Sequence, residues 1–133
     1  MKETKWSALV KNFTASQRVV DLETVPTKLG ELSINELVFD PKNPRISAVL
    51  DTSDGLPDQD EIMAVFMNRD QTRERMKEIK TSGLLEPVWV KDKTWVVFEG
   101  NTRLAAYREL NRVRPKEYRK IIVEVFPDWL SAD

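Results

Sequence analysis

Val96-Val97-Phe98-Glu99-Gly100-Asn101-Thr102-Arg103-Leu104-Ala105-Ala106 decides the reading of this chain, because a β-branched and aromatic run passes through one glycine into residues that favour helix. A strand that turns on glycine into a helix leaves the N–H groups of the first helical turn without acceptors. Those donors, the positive end of the helix dipole and the guanidinium of Arg103 converge on one point, which is the physics of an anion site. Gly100 also has an ordinary structural role, since glycine takes positive φ cheaply at such a turn, with Asn101 or Thr102 as N-cap. Arg103 weighs against that role standing alone: a positive side chain in the first turn opposes the helix dipole, where Asp or Glu would serve better. A bound anion reverses the penalty, a charge-assisted contact contributing about 1.5–3 kcal/mol. The first expectation is therefore a phosphate, that of a nucleotide. Glu99, next to the turn, suits bridging through Mg²⁺ or orienting an attacking water or hydroxyl, and equally pairing with a surface lysine.

Working outward, Pro87-Val88-Trp89-Val90-Lys91 and Thr94-Trp95-Val96-Val97-Phe98 flank Asp92-Lys93 and predict a tight hairpin with both strands buried on two faces. The helix from Asn101 carries Ala106, Tyr107 and Leu110 inward; the basic loop 111–120 follows, then a last strand, Ile121 to Phe126, stopped by Pro127. Upstream, Arg69 to Ser82 reads as a helix with Met76 and Ile79 inward and Gly83 placed to end it in positive φ. Thr52-Ser53-Asp54-Gly55-Leu56-Pro57 is turn chemistry, and Asp58 with Glu61 three residues on marks the start of a helix carrying Ile62, Met63, Phe66 and Met67. Glu31 to Phe39 predicts a short strand, and Asp40-Pro41-Lys42-Asn43-Pro44-Arg45 a rigid loop, because two prolines three apart prevent helix continuation and favour an extended or turn path. Residues 1–30 lack a sustained period and read as an N-terminal arm, partly ordered, with a short helix near Thr14–Leu22. The expectation is an arm at 1–30 and one domain at 31–133: a small mixed α/β (α+β) fold of about four strands and three to four helices. Trp129 and Leu130 suggest packing at the end, or a natural chain that continues past Asp133.

A chain of 133 residues that is 41% hydrophobic describes one domain with a single core. No run approaches a membrane span and the start is too polar for a secretory signal, so the expected location is the cytoplasm. The absence of cysteine excludes disulfides, thiolate catalysis and thiolate metal sites. With no histidine either, the usual general base of a Ser or Cys triad is missing, and the plausible metals are hard cations on carboxylates. Net charge is −1, but eight acids stand against two bases from Glu31 to Glu61, and seven bases against two acids from Arg103 to Lys120. Such polarity can steer a polyanion to one face, although charge runs more often make a solvated face.

Three motifs in register resemble the ParB/sulfiredoxin superfamily. They are Leu37-Val38-Phe39-Asp40-Pro41-Lys42-Asn43-Pro44-Arg45, then Ser82-Gly83-Leu84-Leu85-Glu86-Pro87-Val88-Trp89-Val90, and, after a hairpin, Phe98-Glu99-Gly100-Asn101-Thr102-Arg103-Leu104-Ala105-Ala106. The resemblance spans about Leu32 to Phe126, with the helical segment around Asp58–Asn68 as an insertion. It implies a nucleotide cleft in which Gly83, Glu86 and Pro87 lie along the base or ribose and Gly100, Asn101, Thr102 and Arg103 hold the phosphates, with Arg45 of the Asn-Pro-Arg loop nearby. CTP-using partition proteins have Gly-Glu-Arg-Arg followed one residue later by another arginine; Asn101, Thr102 and Ala105 stand in their place here, so fewer positive charges face a triphosphate. Sulfiredoxin activity is excluded, since the cysteine and histidine of its turn are missing. The Glu-Gly-Asn form of the turn is similar to ParB-like proteins of bacteria, plasmids and phages.

The leading expectation is a nucleotide-binding domain, a slow NTPase switch in a DNA-associated system, using a nucleoside triphosphate with Mg²⁺, with Glu99 as metal ligand or catalytic group. The alternatives are a metal-dependent ParB-like nuclease or phosphotransferase, with Asp40 the carboxylate nearest a motif to join Glu99, and a non-catalytic interaction module that has lost the nucleotide. No helix-turn-helix is visible, so DNA would be recognised through other domains or partners. A homodimer is an open partner, and a membrane is not expected.

Overall fold

The computed structural model describes residues 4–50, 55–84 and 86–130, without the side chains of Lys11 and Arg45. Its sheet is built from β1 (Lys11–Val20), β2 (Glu23–Ser33), β3 (Val38–Phe39), β4 (Val88–Lys91), β5 (Val96–Glu99) and β6 (Lys120–Phe126), in the order β1-β2-β6-β4-β5-β3. Pairs β1/β2, β2/β6 and β4/β5 are antiparallel, whereas β4/β6 and β3/β5 are parallel. The helices are α1 (Pro44–Ser47), α2 (Gln59–Met67), α3 (Asp70–Ser82) and α4 (Asn101–Val113). The mixed α+β class stands, with six strands rather than about four.

The two additional strands come from the expected arm. Residues 14–20 are strand, not the helix expected near Thr14–Leu22, because Asp21 and Leu22 both take positive φ (51° and 68°) and turn the chain back into β2, which then pairs with β6. Long-range pairing overrides a local pattern that has no strong period. The strand expected over Glu31–Phe39 is likewise divided: β2 ends at Ser33, a 3-10 turn covers Ile34–Glu36, and only Val38 and Phe39 rejoin the sheet beside β5.

One face of the sheet carries Val88, Val90, Val97, Ile121, Val123 and Val125 into the main core, where α4 packs on β4 and β5 and is flanked by α3 and α2. The other face holds an aromatic cluster, Trp89, Phe98 and Phe126, with ring centroids 5.0–6.1 Å apart. The hairpin strands are therefore not uniformly buried: Val88, Val90 and Val97 are, while Trp89 and Phe98 are half-buried. The termini close this region, with Ser7 N–H donating to the buried Asp92 carboxylate (3.0 Å) and Trp129 Nε1 to Thr4 Oγ1 (3.0 Å). Beside them a fully buried carboxylate, Glu124, accepts from Arg18 Nε and Nη2 (2.8–3.0 Å) and from Thr27 Oγ1 (2.8 Å). These bonds tie β1 and β2 to β6, and Arg18 also lies over Trp89.

Local chemistry sets the helix ends. Asp58 and Glu61 form the expected reciprocal capping box of α2, and Gly83 ends α3 at φ +74°. Gln59, the first residue of α2, accepts from Phe39 N–H (2.7 Å) and donates to its carbonyl (3.1 Å), closing the β3 edge of the sheet. The expected turn at Thr52–Asp54 lies outside the described residues. No described helix is long and apolar enough to cross a membrane.

Candidate functional site

The strand–glycine–helix reading holds in detail. β5 ends at Glu99, Gly100 takes φ +95° as the N-cap, and α4 starts at Asn101, its first bond running from Leu104 N–H to the Gly100 carbonyl (2.9 Å). The capping expectation is corrected: neither Asn101 nor Thr102 caps, and Gly100 has no side chain with which to do so. Asn101 is turned inward, 6% exposed, donating Nδ2 to the Val97 carbonyl (2.9 Å). Its Oδ1 is buried with no partner. A buried acceptor left unsatisfied costs about 1–3 kcal/mol.

Arg103 crosses the turn. Nη1 pairs with Glu86 Oε2 at 3.0 Å, Nη2 is 3.4 Å from the Pro87 carbonyl, and Nε is buried without a partner. The Arg103 side chain is 17% exposed, that of Glu86 75%. Its guanidinium lies so close to Gly100 that a Cβ there would sit 2.6 Å from Nη2 and 3.0 Å from Nε. Glycine is thus favoured by its φ, and any side chain here would displace the Arg103 guanidinium.

Three cavities meet at this guanidinium. The most polar, about 400 Å³, is lined by Asp40, Asn43 and Pro44 of the loop after β3, by Arg75 of α3, and by Phe98 through Arg103. A smaller one of about 160 Å³ lies between α3 and the following segment, lined by Arg75, Glu78, Ile79, Gly83, Leu84, Glu86 and Arg103. The third, about 410 Å³, opens on the aromatic side of the sheet among Arg18, Glu86, Pro87, Trp89, Glu99 and Arg103. Each expected site residue has a place in this arrangement except Arg45, whose side chain is not described. Gly100, Asn101, Thr102, Arg103 and Glu99 share the 400 Å³ cleft, Gly83 and Glu86 line the smaller cavity, and Pro87 lies with Glu86 and Glu99 in the third. Leu85, within the second motif, lies outside the described residues.

Arg75 is the residue that sequence reasoning missed. On α3 it reads as one of many solvated charges, and it does pair with Glu78 at 2.8 Å, yet the packing of α3 on α4 sets it on the wall between the two cavities that Arg103 also lines. The cleft is therefore lined by two arginines, the N-terminus of a helix and the carboxylate residues Asp40 and Glu99. Among the described residues no group of three Asp, Glu, His or Cys side chains is placed to hold a metal ion. One or two carboxylates plus phosphate oxygens is the usual way Mg²⁺ is held with nucleotides, so this donor set fits a cation that arrives with its ligand.

No family model matches the sequence, and no curated protein does. Among solved structures, the chain is similar to a Pnob8-like ParB-N domain, at 13% identity with a TM-score of 0.45. The match covers 89% of this chain and 32% of the other, so the chain spans about a third of that protein's length.

Proposed function

We propose that this domain binds a nucleotide in the cleft around Gly100–Arg103, with the phosphates at the N-terminus of α4 and the nucleoside toward Gly83 and Glu86. The observation that carries the reading is convergence. Segments near residues 40, 75 and 100 enclose one polar cleft, and its lining brings Arg75 and Arg103 together with the first turn of α4. Arg75 and Arg103 border both the 400 Å³ and 160 Å³ cavities, which suits a ligand with a charged part on one side of the guanidinium groups and a heterocycle on the other. Glu99 is the ligand proposed for Mg²⁺, and the group best placed to orient water if the phosphate is hydrolysed. The resemblance of the three motifs to ParB-like proteins supports the further proposal that nucleotide state is read by a DNA-associated assembly, with DNA contacted elsewhere.

Calorimetric titration with CTP, ATP, GTP and UTP, with and without Mg²⁺, tests the reading. A ligand that binds only the native state at about one hundred times its Kd stabilises by roughly 2.7 kcal/mol, and Arg103→Ala should abolish the heat and the stabilisation together. Absence of binding by all four nucleotides at millimolar concentration, or equal binding to Arg103→Ala, refutes it. Asp40 and Glu99 lining one cleft favours a second reading, metal-dependent phosphodiester cleavage. That reading requires plasmid cleavage that disappears in Glu99→Gln while the fold is kept.

A further inference from the structure

The two edges of the sheet are treated differently. β3 is two residues long, and Gln59 satisfies its outer backbone groups. β1 is ten residues long and forms the opposite edge. Long, open edges are normally shortened, charged, interrupted by proline or covered. β1 has no proline, its one irregularity is the register shift between Lys11 and Thr14 with Asn12 at φ 53°, and the guanidinium of Arg18 is held by Glu124 of its own sheet. Of eight exposed large hydrophobic residues among those described, four lie on or beside this strand: Leu9 (47%), Phe13 (51%), Val19 (72%) and Leu22 (98%).

The hairpin geometry says which backbone groups are free. Asp21-Leu22 is a two-residue turn, so Val20 and Glu23 exchange both bonds, as do Arg18 with Val25 and Ser16 with Thr27. The N–H and C=O groups of Ala15, Gln17 and Val19 therefore point away from β2. We propose that a second copy of this chain adds there, β1 against β1 antiparallel about a two-fold axis at Ser16. This register sets Ala15 opposite Gln17 and Thr14 opposite Arg18, with no like charges facing each other, and brings the exposed Phe13, at the register shift of β1, toward the partner's Val19 on both sides of the axis. Registers centred on Ala15 or Gln17 carry Phe13 away from the partner's Val19 by two residues. A single strand edge buries less than the roughly 800 Å² per partner of a standard interface, so the association belongs to the weak, reversible class. It is independent of what the cleft binds.

At the axis the two Ser16 residues form a non-hydrogen-bonded pair, with Cα atoms about 4.5 Å apart, within reach of a disulfide. The chain has no cysteine of its own, so Ser16→Cys carries a single thiol. Under mild oxidation Ser16→Cys should form a disulfide dimer at least about tenfold faster than Thr14→Cys, whose two copies lie four residues, or about 14 Å, out of register. Equilibrium sedimentation of the unmodified chain from micromolar to millimolar concentration should rise from 15.4 kDa toward twice that mass, and Val19→Lys should stay at the monomer mass. A monomer at every concentration overturns the proposal. So do equal cross-linking of the two cysteine variants and a dimer that Val19→Lys leaves intact.

Discussion

Gly100→Ala tests the logic of the turn most directly. The added Cβ meets two separate costs. At φ +95° and ψ 26° an L-residue sits in left-handed territory, which costs about 1–2 kcal/mol. The Cβ also falls 2.6 Å from Arg103 Nη2 and 3.1 Å from Cζ, so the guanidinium must leave. That group is the far end of a flexible side chain, and its partner Glu86 is 75% exposed, so losing the ion pair adds only about 0–1 kcal/mol. The expected loss in urea unfolding is about 1–3 kcal/mol, most of it from the backbone. In an Arg103→Ala background the collision is gone, so Gly100→Ala should cost only the backbone share, and the coupling between the two sites should not exceed about 1 kcal/mol. The same variant should lose affinity for any anion in the cleft, because Arg103 is displaced. A loss of stability below about 0.5 kcal/mol would refute the account of why glycine is needed.

Two further predictions concern charges. Arg18→Met leaves the buried Glu124 with only Thr27 as partner, and should destabilise by about 2–4 kcal/mol in urea unfolding, with Arg18→Met/Glu124→Leu recovering most of the loss because an apolar pair needs no partner. A double variant no better than the single would show that the pair supplies more than mutual compensation. Glu86→Gln removes the carboxylate that holds Arg103, and should tighten binding of inorganic pyrophosphate in calorimetry by roughly two- to fivefold, the worth of a mostly exposed ion pair. Unchanged or weaker binding would mean that Glu86 positions Arg103 rather than competing for it.

What could be read from the sequence was what neighbouring residues decide among themselves. Asp58 and Glu61 announced the start of α2, Gly83 the end of α3, and Gly100 the passage from β5 to α4, because each depends on chemistry within three or four residues. The β1–β2 hairpin was illegible for the opposite reason. Its turn, Asp21-Leu22, lacks the glycine that would signal it, and β2 belongs to the sheet only through β6, almost a hundred residues away in sequence. The same distance hid Glu124. In Ile121-Ile122-Val123-Glu124-Val125-Phe126 it reads as the exposed residue of a half-buried strand, yet it is fully buried with a partner 106 residues distant. Arg75 escaped because a helix surface charge becomes a cleft residue only once α3 is docked on α4.

The position of Arg103 draws these elements into one electrostatic argument. A cation in the first turn of a helix is unfavourable unless something negative is near, and the protein supplies Glu86 from the segment that follows α3. That pairing leaves the Nε donor and the Asn101 Oδ1 acceptor each buried without a partner. The two are complementary, one a donor and the other an acceptor, so by themselves they call for no cation. Under the proposed function, a phosphate would supply oxygens to the guanidinium and the α4 N–H groups, and Mg²⁺ would offset the carboxylates of Glu99 and Asp40 that line the same cleft. A bare anion would face those two carboxylates with no cation between them. Mg²⁺ should therefore matter more to affinity at this site than the identity of the base.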